Sequence, residues 1–155
     1  VHGHLSILTT RLALCAALAT TTMAHAEPNN VTFPDDLEAL ELYTTVTRGN
    51  VVENVYTSRE ALDAIQAGEE IPDRTQIVLE IFRDDELWRL FVMEKGEGWG
   101  EEYDEASRTD DWQFQWYWPD GTINMEENTA RCRSCHMSRE DRNYMFTYND
   151  ARRAE

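Results

Sequence analysis

Apolar and polar positions alternate with a period of two through much of this chain. Leu40, Leu42 and Val46, with Thr44 and Thr45 between them, describe a strand over residues 40–46. Gly49-Asn50 turns the chain, and Val51–Thr57 reads as the partner strand. The apolar run 76–82 and the segment 87–95 form a second pair around the polar turn at 83–86. Residues 112–118 alternate aromatic with mostly polar side chains and stop at Pro119-Asp120-Gly121, a strand with one aromatic face. Helical signals are fewer. Ser58 suits the N-cap of a helix over Arg59–Ala67, with Leu62 and Ile65 on one face and Gly68 at its end. Pro34-Asp35-Asp36 suits the start of a short helix. Residues 96–100 and the acidic stretch 101–111 read as loop, and the last forty residues as short helices around two cysteines with a frayed tail. The chain holds no internal repeat, and the pattern is β-rich α+β.

Residues 1–26 break this pattern. They contain no acid, one Arg (Arg11), an apolar run over 12–18 and then Ala24-His25-Ala26, the arrangement of a secretory signal peptide cut after Ala26. The run is too short to span a bilayer. Cleavage of 26 of the 155 residues would leave a single domain over 27–155, exported to the periplasm or the medium and free of the membrane. The loss of Arg11 takes the formal charge from −16 to −17. Such a charge argues against nucleic acid and anionic lipid as partners, and is compatible with a basic redox partner.

Cleavage also simplifies the reactive side chains. Of three Cys only Cys132 and Cys135 remain, and of four His only His136. They form Cys132-Arg133-Ser134-Cys135-His136, a C-x-x-C-H sequence, the attachment signature of c-type haem. On one helical turn both thiols can reach the two vinyl groups of one porphyrin edge, and the next residue offers its imidazole to the iron. Structural zinc wants about four ligands, and three are present. A disulfide remains open in an oxidising compartment, and a thioredoxin-like dithiol would want a βαβ context.

The other face of the iron is narrowed by what the mature chain lacks. It has no second His, and Met137 adjoins the proximal one. Met93, Met125 and Met145 are candidate sixth ligands, although methionines near apolar strands usually fill cores. A vacant or water-bound sixth position is the expectation. Arg131, Arg133, Arg139 and Arg142 cluster near the motif and suit haem propionates or a solvated patch equally. Trp112, Phe114, Trp116 and Trp118 would share one strand face and could wall a haem cavity. Glu94 and Lys95 read as a strand end at the surface.

The order of motifs is itself informative. Leu42-Tyr43-Thr44-Thr45-Val46 with Arg48-Gly49 is followed by Ser58-x-Glu60-Ala61, Gly68 and Pro72-Asp73-x-Thr75. Val92-Met93-Glu94-Lys95, Gly98-Trp99-Gly100, Trp112-x-Phe114, Cys132-x-x-Cys135-His136 and Phe146-Thr147 complete it. Over roughly residues 33–148 this resembles the cytochrome P-460 family, which includes the cytochromes c′-beta. The resemblance implies an antiparallel sheet with short helices packed around one covalent haem c, often as a homodimer. It also implies a five-coordinate iron with His136 proximal, binding nitric oxide or related small ligands. The P-460 enzymes proper oxidise hydroxylamine and carry a lysine cross-linked to the porphyrin. The matching position here is Leu79, and the single lysine, Lys95, lies on a different strand. The expected function is therefore an exported haem protein that binds nitric oxide or a similar ligand. The alternatives are a hydroxylamine-oxidising enzyme, in which Glu80 or Glu94 would serve as distal acid, and an electron carrier with a Met sixth ligand.

Overall fold

A computed structural model describes residues 29–155, so the expected export signal, 1–26, lies outside the described residues. The frame is a five-stranded antiparallel sheet in which each strand pairs with its sequence neighbour: β1 (Glu41–Arg48), β2 (Val51–Thr57), β3 (Gln76–Arg83), β4 (Glu86–Lys95) and β5 (Trp112–Tyr117). The β3–β4 turn places Asp84 and Asp85 at φ of 52° and 64°, the left-handed conformation that tight hairpins need and that Asp tolerates.

Strand alternation sorts the side chains onto two faces. Val55, Ile77, Phe91, Met93, Trp112 and Phe114 bury one face against α1 (Arg59–Ala67) through Leu62 and Ile65. Val78, Leu90, Val92 and Tyr117 bury the other under Val31, with Phe33 and Leu37 packed beside them. The helix α1 has the expected bounds, with Ser58 Oγ accepting from the Ala61 N–H at 3.1 Å and Gly68 left-handed at φ 72°. Two further helices follow β5: α2 (Thr129–His136) and α3 (Tyr148–Ala151).

Three segments differ from expectation. The helix foreseen after Pro34 is only a 3-10 turn, Leu37–Ala39, because the chain is extended again at Leu40. Trp118 falls beyond β5, in the turn closed by its N–H to the Thr122 carbonyl at 2.8 Å. The tail is docked. Ala151 is fully buried in the core that holds Leu62 and Ile65, and Gln66 Nε2 donates to the Ala154 carbonyl at 2.9 Å. The acidic loop before β5 is likewise tied down, since the Asp111 carboxylate accepts from the N–H groups of Gly98 and Gly100 at 3.1 and 2.9 Å. A Cβ on Gly100 would lie 2.2 Å from the Asp110 carbonyl oxygen, so no larger residue fits there.

Candidate haem site

The motif helix is short and packs on β5. Asn128 caps α2 by accepting from the Ala130 N–H at 2.9 Å. Its eight residues carry both thiols and the imidazole. Both cysteines are free; Cys132 is half-buried and Cys135 exposed. Burial pushes the Cys132 thiol up to about 11, with a hydrogen bond from the Trp116 side chain opposing that rise.

His136 is oriented by the segment that follows it. Its Nδ1 donates to the Tyr144 carbonyl at 2.5 Å, with the proton assigned to that nitrogen because the partner can only accept. Asn143 and Tyr144 both adopt left-handed backbone, at φ of 50° and 59°, which turns the chain back so that the carbonyl meets the ring. The other nitrogen, Nε2, is left with its lone pair as a ligand. Burial holds the imidazole below its usual value, opposed by the Tyr144 hydrogen bond, so the neutral ligating form prevails near pH 7. Phe114 packs on the ring with centroids 4.6 Å apart, and Phe146 meets it edge-on at 5.0 Å.

Two openings meet at this imidazole. The first, about 210 Å³, lies between Val55, Ile77, Met93 and Phe146. The second, about 380 Å³, lies between Trp116, Arg89, Arg131, Cys132 and Cys135. They share Leu79, Phe91 and His136. Two thiols, a neutral imidazole with one free nitrogen and a mostly apolar slot across the sheet face make a donor set and a shape that fit a haem held by thioethers. Cys132, Cys135 and His136 would hold it.

The remaining candidate side chains separate clearly. Leu79 lines both openings, whereas Lys95 lines neither and reaches Glu70 Oε1 at 3.1 Å and the Ile71 carbonyl at 3.2 Å. Glu94 and Lys95 are not at the surface, as Glu94 is 1 % and Lys95 9 % exposed. Glu94 lies on the far face of the sheet, paired with Arg74 at 2.6 Å and bonded to Thr32. Glu80 also faces away and accepts from Tyr56 Oη at 2.8 Å. Neither acid lines an opening, because strand alternation sends even-numbered residues of β3 and β4 to the back. Of the methionines, Met93 lines the first opening, Met145 is buried in the core and Met125 is exposed. Arg131 lines the second opening, Arg133 is buried over the Tyr103 ring at 3.9 Å, Arg139 covers Phe146 at 4.7 Å, and Arg142 pairs with Asp141 at 3.4 Å. Trp116 walls the second opening while Trp112 belongs to the core.

Sequence reading missed Arg48, Glu53 and Phe91. Arg48 and Glu53 are the guanidinium and the carboxylate of the first opening, 2.7 Å apart. The signal was available, because Glu53 alternates with Val55 on β2 and Phe91 with Met93 on β4. No curated protein matches the chain. The sequence profile of the family described as Cytochrome P460 matches residues 34–147. The chain belongs to the cytochrome P460 family, a family of haem-binding proteins.

Proposed function

We propose that this is an exported c-type haem protein in which Cys132 and Cys135 form the thioethers, His136 is the single axial ligand from the protein, and the open position takes nitric oxide or a related nitrogen-oxide ligand. The carrying observation is the His136 bond to the Tyr144 carbonyl, which fixes the ring of a histidine that lines both openings and leaves Nε2 its lone pair. The haem, when bound, supplies the iron that accepts the small ligand and exchanges electrons. Leu79, Phe91 and Ile77 make much of the slot's lining apolar, which favours an uncharged diatomic. Met93 is the one thioether lining that slot among the described residues, and it packs in the core with Ile77 and Phe114, an arrangement that suits filler better than a ligand. Nitric oxide added to the reduced protein should change its absorption spectrum at once. An inert, six-coordinate spectrum would overturn this reading.

One observation favours a second reading, oxidation of hydroxylamine. Glu53 lines the first opening with Arg48 against it, so a carboxylate stands where a ligand that carries protons could lose them. Turnover of hydroxylamine with an artificial electron acceptor distinguishes the two. A redox protein would be the natural recipient of those electrons. With Leu79 at the cavity, no lysine–porphyrin link is expected in either case, and the mass of the holoprotein reads this directly.

A further inference from the structure

The two openings hold different kinds of side chain, and this sets the direction of a haem that spans them. Cys132 and Cys135 line only the second opening, Arg48 and Glu53 only the first, and His136 stands where the two meet. A haem carries its vinyl groups on one edge and its two propionates on the opposite edge. Thioethers in the second opening, with the iron over His136, therefore send the propionate edge toward the first. The lining there is apolar apart from Arg48, Glu53, the imidazole and Thr147. Arg48 ends β1, and Glu53 lies diagonally across the hairpin on β2, because Val46 pairs with Glu53 and Arg48 with Val51. Arg48 Nη1 donates to Glu53 Oε2 at 2.7 Å, while Nε and Nη2 donate to no described residue. A guanidinium is a rigid fork of five donors, so one carboxylate leaves an edge of it open. The Arg48 side chain is mostly exposed, which suits the partner of a charged group that keeps contact with water.

We propose that Arg48 binds a haem propionate through this open edge, bridging it to Glu53, and that the arginines around the C-x-x-C-H motif do not. The proposal rests on the haem c reading above. Arg131 lines the second opening, at the thioether edge. Arg89 beside it is engaged already, held by Glu127 at 2.6 Å and stacked on Trp88 and Trp116 at 3.8 and 4.1 Å. Arg133 covers the Tyr103 ring, and Arg142 pairs with Asp141. Arg139 alone of this group comes near the first opening, and its guanidinium is spread over the Phe146 ring. Two carboxylates then share the Arg48 cation, each charge-assisted bond weakening the other's claim on it. Glu53 is thus a competitor of the propionate, and its charge sets how tightly that edge of the haem is held.

The test uses the full chain matured in an exporting host that attaches haem c. Resonance Raman spectra of the holoprotein report the propionate bending band, whose frequency rises with hydrogen bonding to that carboxylate. R48L should move the band down, and R48K should move it down by less. E53Q frees Arg48 from its competitor and should move the band up. R131L changes a guanidinium at the thioether edge and should leave the band in place. If R48L does not accumulate, R48K and E53Q, opposite in sign, carry the measurement. An unmoved band in the Arg48 variants, a larger shift in R131L or R139L than in R48L, or an E53Q band that stays or falls would overturn the proposal. Wild-type protein without covalent haem would overturn the haem reading itself, and is recognised by its mass before any variant is made.

Discussion

At the scale of single residues, the slot mixes groups of very different consequence. Glu53 and Arg48 form an ion pair whose side chains are 18 % and 68 % exposed, so its effect on stability is small, within about 1 kcal/mol. Their chemical effect is separable from that. E53Q should leave thermal stability nearly unchanged and nitric oxide binding intact, while lowering hydroxylamine turnover if the second reading holds; parallel rates for wild type and E53Q would remove Glu53 from the chemistry. Tyr117 tests the opposite face. Burial, and then the Glu94 carboxylate, raise its phenol from about 10 to about 12. The folded chain therefore keeps this proton while the unfolded chain loses it. The associated stability is fully present below pH 10 and lost as the pH rises from 10 towards 12. Denaturant midpoints over that window, read beside phenolate absorbance, should fall less steeply in Y117F.

Elements were legible in the sequence to the extent that their signals were local. Val51–Thr57 and Arg59–Ala67 have the expected bounds because alternation, an N-cap serine and a terminal glycine each act over a few residues. S58A should cost about 1 kcal/mol in a urea titration, through the lost bond to the Ala61 N–H. The C-terminal segment was misread as frayed because its partners lie far away in sequence: Tyr43 with Thr147 at 2.6 Å, and Gln66 with Ala151 at 3.3 Å. No periodicity carries such pairings. The same holds at the site. Cys132, Cys135 and His136 announce themselves by spacing, but the Tyr144 carbonyl that aims the imidazole depends on two left-handed residues that composition does not mark. Asn143 sits at φ 50°, where Asn and Gly are tolerated and a β-branched residue is strained by about 1–3 kcal/mol. N143V should therefore lower stability and shift the iron–histidine vibration, whereas N143G should preserve that vibration.

At the scale of the whole molecule, the sheet divides labour between its faces. One face carries the slot, and the other buries Val78, Val92 and Tyr117 under the segment from Val31 to Leu40. That division explains why Glu80 and Glu94, plausible distal acids from sequence order, are structural: an acid one residue out of phase points to the wrong side. The formal charge of −16 adds a separate expectation. Repulsion among 30 acids opposed by 14 bases is relieved by salt, so the melting temperature should rise with sodium chloride up to a few tenths molar.

The strand order has a consequence for assembly in time. Hairpins made of adjacent strands close short loops and form early, whereas α3 must find β1 and α1 across about a hundred residues. The sheet, with the motif helix on β5, can then stand before the tail has settled on it. The newborn protein would present its cysteines while the tail is still an open flap, and the last contacts to zip shut would be those that bring Phe146 and Thr147 over the pigment.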